Sequence, residues 1–322
     1  MIERGDVLEA QKRIAGYVRR TPLIHAGSSA ASLWFKCEFM QHTGSFKARG
    51  AFNRQLAALA RGELDPGIGV VAASGGNAGL AHAYAAARLG VPATVFVPET
   101  APRIKVQRLL QYKATVRQVG AEYAEAYGAA IEFVQSSGAL FCHAYDQLEV
   151  AAGAGTIAEE IFEDLPDVDT IAVAVGGGGL YAGIAAAAEG RANVVAVEPV
   201  NIPTLHAALR AGKPVDVPVS GVAADSLGAR RVGEIAFSMA SRVPPTSVLV
   251  GDHDIVAARQ DLWSEYRIPA EYGAAAALAA FSSGAYVPRK GERIAVVVCG
   301  ANTDPSTLED SGDALPDVDQ QR

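Results

Sequence analysis

From residue 69 onward, short apolar runs alternate with stretches whose apolar residues recur at helical spacing, and that alternation limits the fold more than any other feature. Strands are expected at 69–73, 93–97, 115–119 and 140–143, with helices at 77–89, 102–112 and 121–135 between them. Repeats of this kind make parallel sheets, because a parallel return needs a crossover long enough to hold a helix. A stop signal, Leu89-Gly90-Val91-Pro92, ends one helix before the next strand. A second series follows: helix 156–163, strand 170–175, helix 180–189, strands 193–197 and 247–250, helices 252–266 and 273–281, and strand 293–298. The expected fold class is α/β, with two open parallel-sheet lobes that carry helices on both faces.

The 322 residues suffice for about two domains. Half are hydrophobic and 20% are charged, which excludes disorder over most of the chain. Lys and Arg total 28 against 35 Asp and Glu, a net charge of −7 with no basic stripe, so nucleic acid is not an expected partner. No apolar run reaches the ~18 residues of a membrane span. The first twenty residues mix charge with helical spacing and lack the apolar core of a secretory leader. Cys37, Cys142 and Cys299 are odd in number and far apart, which fits a reducing, cytoplasmic setting and offers neither a disulfide framework nor a zinc pair. Residues 304–322, rich in acids, are expected to form a disordered tail.

Ligands in open parallel sheets bind beyond the carboxyl ends of strands, which directs attention to four loops. In the first, TGSFKARG at 43–50, Lys47 beside Phe46 reads either as a surface lysine or as an amine nucleophile in a dry pocket, fit for a Schiff base. Ser74-Gly75-Gly76-Asn77 follows an apolar strand and opens a helix. It is either a plain capped turn or a seat for a substrate carboxylate, with Asn77 offering an amide. Gly176-Gly177-Gly178-Gly179-Leu180 follows TIAVAV. Four glycines are costly to order, and successive N–H groups around a phosphate would explain them. Cys299, in VVVCGAN, is a buried small hydrophobe or a weak, uncharged partner for a ring nitrogen. A rival fits the third loop: Gly177, Gly179 and Ala182 match a dinucleotide fingerprint, and Glu198 lies where a ribose-binding acid would. That rival, a nicotinamide dehydrogenase, leaves Lys47 and Ser74 without a task.

Taken in order, SFKARG, SGGNAG, VGGGGL and VVVCGAN resemble the motifs of the fold-type II pyridoxal phosphate enzymes, in the serine/threonine dehydratase branch that also includes serine racemases. RTPLIHAGS and HAYDQLEVAAGAGTIAEEI extend the resemblance over about residues 20–303. It implies pyridoxal 5′-phosphate as cofactor and Lys47 as the catalytic, Schiff-base lysine. It further implies Phe46 against the pyridine ring, Asn77 at the ring hydroxyl, Gly176–Gly179 and Leu180 around the phosphate, and Cys299 at the ring nitrogen. Ser74, Gly75, Gly76 and Asn77 would hold the substrate carboxylate. The implied activity is β-elimination of a β-hydroxy amino acid, L-threonine or L-serine, to a 2-oxo acid and ammonia. A racemase, a 3-hydroxyaspartate-type dehydratase or a β-replacing synthase of the same fold is the alternative. The implied lobes are residues 1–67 with 147–303, and 68–146; the implied assembly is a homodimer.

Departures from the family pattern sharpen the expectation. Serine racemases carry a Ser before the Gly-Asn pair, and here Gly75 stands there, so racemisation lacks its proton donor. The cation site of that group uses an acid after a strand and another six residues on; Glu198 matches the first, but Thr204 stands at the second. No metal is therefore expected. Glu271, in RIPAEYGAAAALAA, reads as an acid near the cofactor edge or as a helix-start acid, and His82 and His143 read as structural. Only the acidic tail follows the catalytic part, so no regulatory domain is expected.

Overall fold

The computed structural model describes residues 1–28 and 31–308. The chain begins with helix α1 (Arg4–Ile14), strand β1 (Leu23–Ser28), strand β2 (Ser32–Lys36) and helix α2 (Lys47–Arg61). The alternation follows as β3 (Val70–Ala73), α3 (Asn77–Leu89), β4 (Ala93–Val97), α4 (Arg103–Gln111), β5 (Thr115–Gln118), α5 (Tyr123–Ser137) and β6 (Leu140–Phe141). Next come α6 (Leu148–Asp164), β7 (Thr170–Ala174), α7 (Gly179–Ala188), β8 (Asn193–Pro199), α8 (Thr204–Ala211), α9 (Ala224–Leu227) and α10 (Glu234–Arg242). The series ends with β9 (Thr246–Val250), α11 (Asp252–Tyr266), α12 (Tyr272–Ser282) and β10 (Arg293–Val297).

Two sheets result: β1-β2-β10-β7-β8-β9 and β5-β4-β3-β6. All pairings are parallel except that of β1 with β2, which is antiparallel. The expected all-parallel larger sheet is thus mixed at one edge, since the link from β1 to β2 is too short for a helical crossover. In the larger sheet β7 runs on to β8 on one side while β10 fills the other. In the smaller, β3 runs on to β4 while β6 fills the other side. Each sheet therefore has a point where connections leave in opposite directions, and a crevice opens beyond the strand ends there.

Burial explains the local sequence. All five residues of β7 are buried, as in a strand covered on both faces. Helix α7, GLYAGIAAAA, is buried throughout, which an all-apolar helix requires. Helix α6 begins at Leu148 and not at the expected 156. Gly153 lowers helix propensity in that missed stretch. It is tolerated because a Cβ there would lie 2.6 Å from the Arg49 carbonyl oxygen, so α2 and α6 meet only across a glycine. Helices α2, α8 and α10 and strands β1 and β2 lie outside the expected elements. At the chain's end Pro305–Leu308 forms a 3-10 turn, with Leu308 buried and Arg259 donating to Thr307 O at 3.0 Å and Thr307 Oγ1 at 2.7 Å. Residues 305–308, expected within a disordered tail, are thus ordered, and 309–322 lie outside the described residues.

Candidate active site

The end of β10 pins the loop that presents Lys47. Ser45 and Gly300 form an antiparallel bridge, Phe46 N–H donates to Cys299 O at 3.0 Å, and Ala301 N–H donates to Gly44 O at 2.9 Å. Lys47 is the first residue of α2, so its position is set by this bridge and by the helix behind it. The loop is strained: Thr43 has φ +63°, and the buried Thr43 and Ser45 hydroxyls have no partner among the described residues.

The two crevices face one space. A cavity of about 50 Å³ is lined by Phe46, Lys47, Asn77, Gly176–Leu180, Glu271 and Cys299. It adjoins a cleft of about 410 Å³ that Lys47 shares with Ser74, Gly75, Gly76 and Asn77. All the residues singled out for the cofactor and the substrate thus line this space. Because β10 pairs directly with β7, Cys299 and the glycine run leave neighbouring strand ends.

Charge is arranged for proton transfer. The Lys47 amine donates to Ala144 O at 2.8 Å and stands 5.0 Å from the Phe46 ring centroid. Burial pulls the amine down to about 8, against the opposing pull of Cys299 and Glu271. Burial raises the Glu271 carboxyl to about 7, although Asn77 Nδ2 donates to its Oε1 at 2.8 Å. Asn77 Oδ1 in turn accepts from Asn302 Nδ2 at 2.7 Å, and one Asn77 N–H remains to offer to a ligand. Burial also raises the Cys299 thiol, which is protonated at neutral pH. Gly76 N–H donates to Ser74 Oγ at 3.3 Å at the start of α3, whose first residues, Asn77 and Ala78, line the cleft.

Residues 14–300 match the family described as "Pyridoxal-phosphate dependent enzyme". The chain belongs to that family. It is 37% identical over 313 residues to the L-threonine ammonia-lyase of Geobacter sulfurreducens, covering 94% of this chain and 76% of that one. It is 32% identical to the serine racemase of Arabidopsis thaliana, covering 95% of each. Among solved structures, maize serine racemase superimposes with a TM-score of 0.88 at 30% identity, covering 95% of each chain.

Two sequence arguments change within this pyridoxal-phosphate enzyme. The glycine run needs no ligand to explain it. A Cβ on Gly177 would strike the Tyr145 ring, and Gly178, at φ +89°, has its missing Cβ directed at Ala236 of α10. Packing alone demands glycine there. The dinucleotide reading of Glu198 fails outright. Its buried carboxylate accepts from Leu205 N–H at 2.7 Å, His206 N–H at 2.8 Å and the Thr204 hydroxyl at 3.0 Å, so it caps α8. The same bonds occupy the acid considered for a cation.

His143 Nδ1 accepts from the Tyr145 and Asp146 N–H groups and shapes the turn over Lys47. His82 is buried, and burial holds it neutral, down to about 3. Sequence reasoning missed Ala144, Tyr145, Asn302 and the segment at 226–228 as lining residues. For Tyr145 a signal existed, since HAYDQLEV follows β6 directly. For the 226–228 segment none did.

Proposed function

We propose that the protein removes water and ammonia from a β-hydroxy amino acid, L-threonine or L-serine, leaving a 2-oxo acid. The observation that carries this reading is Lys47: a half-buried lysine whose amine desolvation pulls down to about 8, at the meeting point of both crevices. The cavity suits pyridoxal phosphate. It offers that amine, the Phe46 ring, glycine backbone between Gly176 and Gly179, and a free Asn77 N–H. When bound, the cofactor supplies a carbonyl carbon for the lysine and an electron sink for the α-carbon. Threonine ammonia-lyases and serine racemases among the relatives support the same chemistry.

The chain's own residues divide the work. Lys47 Nζ would hold the cofactor and, as a free neutral amine, would take the α-proton; the Ala144 carbonyl, 2.8 Å away, gives the free amine a fixed seat. Ser74, Gly75, Gly76 and the start of α3 hold the substrate carboxylate. Phe46 would support one face of the ring, Leu180 and Gly176–Gly179 would hold the phosphate, and the Cys299 thiol, kept protonated by burial, would meet the ring nitrogen. Glu271 accepts from Asn77 Nδ2 and so fixes the orientation of the amide that would meet the ring edge. Gly75 offers no side-chain base, so elimination is expected to outrun racemisation.

Residues 1–67 with 147–303, and 68–146, are the two lobes of this reading, supported by the assignment of β3–β6 to a separate sheet. A homodimer and a cytoplasmic location belong to the same proposal; sedimentation tests the former. No helix among the described residues is long and apolar enough to cross a membrane. Lys47→Ala tests the whole: 2-oxo acid formation is expected to fall by at least ~10²–10⁴, and near-normal turnover would sink the assignment. Rapid D-serine formation by the unaltered enzyme would contradict the role given to Gly75.

A further inference from the structure

An acidic chain places four cationic side chains, Lys105, Arg108, Arg230 and Arg231, around the mouth of the 410 Å³ cleft. Two of them are neutralised. Lys105 on α4 pairs with Asp225 on α9, and Arg231 pairs with Asp216 at 3.1 Å. The Arg108 and Arg230 guanidinium groups take part in no ion pair or hydrogen bond among the described residues. Asp304 feels the charge of Arg108, but Ser306 N–H and Oγ hydrogen-bond its carboxylate, and it forms no ion pair with the guanidinium.

The two free arginines belong to different segments, Arg108 to α4 and Arg230 to the stretch that follows α9. The Lys105–Asp225 pair joins α4 to α9 across the cleft. Arg108 is one helical turn from Lys105 on the same face, and Arg230 follows Asp225 by five residues on the facing segment. Both line the cleft that holds Lys47 and the start of α3. A neutral side chain such as that of threonine asks nothing of them. Guanidinium groups recognise carboxylates in a paired, planar fashion, and free ones beside a substrate site select for a second negative charge.

We propose that Arg108 and Arg230 form a second anion subsite, and that the preferred substrate is a β-hydroxy-α-amino acid whose side chain ends in a carboxylate. The start of α3 takes the α-carboxylate, and the arginine pair takes the distal one. This rests on the β-elimination reading above and narrows its substrate class. Asp225, Glu271 and Tyr123 also line the cleft; Asp225 is occupied by Lys105, which leaves the subsite net positive.

The test compares kcat/KM for 3-hydroxyaspartate and L-serine in the purified holoenzyme, in Arg108→Gln and in Arg230→Gln. The unaltered enzyme is expected to favour the acidic substrate. Each substitution is expected to lower the ratio of the two kcat/KM values roughly tenfold or more, the worth of a charge-assisted hydrogen bond. Succinate is expected to compete with L-serine far better than butyrate does, and to lose that advantage in both variants. Both arginines are free of structural bonds, so retained absorbance of the bound cofactor certifies folding. A ratio unmoved by either substitution, or equal inhibition by succinate and butyrate, overturns the subsite while leaving β-elimination intact. Failure to turn over either amino acid, with the cofactor bound, overturns the β-elimination reading itself.

Discussion

Arg49→Met tests what holds the catalytic lysine's helix in place. The Arg49 guanidinium is 1% exposed, and its donors reach Glu38 at 2.9 and 2.8 Å, Glu160 at 2.7 and 2.9 Å, and Thr156 Oγ1 at 3.1 Å. Lys36, also buried, donates to Glu160 Oε2 at 2.6 Å and to Thr21 O at 2.7 Å. Two cations and two carboxylates thus balance in the interior, two residues along the chain from Lys47. Methionine keeps much of the volume but leaves the cluster with one uncompensated negative charge. Breaking a buried pair from one side costs about 3–5 kcal/mol. At about 2 °C per kcal/mol for a long chain, the melting temperature is expected to fall by roughly 6–10 °C.

The loss depends on pH in a definite direction. Burial pushes the Glu160 carboxyl upward, but Arg49 and Lys36 together outweigh it and hold it below the usual range. A depressed carboxyl adds stability that is complete above its unfolded value, about 4.3, and disappears as pH falls through the folded value. In Arg49→Met the upward push is far less opposed, so ionisation costs stability and protonation relieves it. The gap between variant and parent is therefore wider at pH 8 than at pH 5. Removing the surplus charge in Arg49→Met/Glu160→Gln leaves Lys36 against Glu38 and is expected to recover more than half of the loss. Thermal melts at the two pH values decide the matter. A single variant that melts within about 2 °C of the parent, or a gap indifferent to pH, refutes the reasoning.

Two further outcomes follow from the site. Gly178→Val sets a Cβ against Ala236 at a φ that valine resists, so α10 is displaced from the glycine loop and cofactor retention falls; excess pyridoxal phosphate is expected to restore part of the activity by mass action, which dialysis followed by titration will measure. The Lys47 amine, pulled down to about 8 by burial, attacks only when neutral, so the rate at which the apoprotein recaptures the cofactor is expected to rise with pH and level off above about 8; a flat profile between pH 6 and 9, read by absorbance, would show that the amine is not desolvated.

Much of the fold was legible because its signals are local. The helices at Asn77–Leu89 and Asp252–Tyr266 have the bounds that periodicity predicts, since each begins just after a strand and ends at a turn residue or an αL cap. Strand β4 was equally clear, bounded by Pro92 and Pro98. Helix α6 was read eight residues short because Gly153 opposes helix formation locally and is favoured only by the approach of α2. The antiparallel edge strand escaped notice because LIHAGS has no alternation that specifies a partner. In the site, Asn77 and Cys299 stood out by residue type and by position after a strand, and Lys47 by its place in SFKARG. Asn302 did not, because its role depends on contacts with the distant Thr43 and Asn77.

By itself the sequence determined the alternation of strands and helices, the order of the ligand-bearing loops and the residue types available to them, all of which follow from short-range periodicity and steric preference. Tertiary structure alone decided which loops meet. It set β10 beside β7, so that Cys299 joins the glycine run, and bridged Ser45 to Gly300, so that Lys47 is half-buried and its amine, largely desolvated, loses basicity. It also gave Glu198 to the start of α8 and the glycines to Tyr145 and Ala236. The physical reason is that desolvation and steric exclusion belong to assembled surfaces: a lysine's pKa and a glycine's necessity are set by atoms far away in the chain, which no local pattern records.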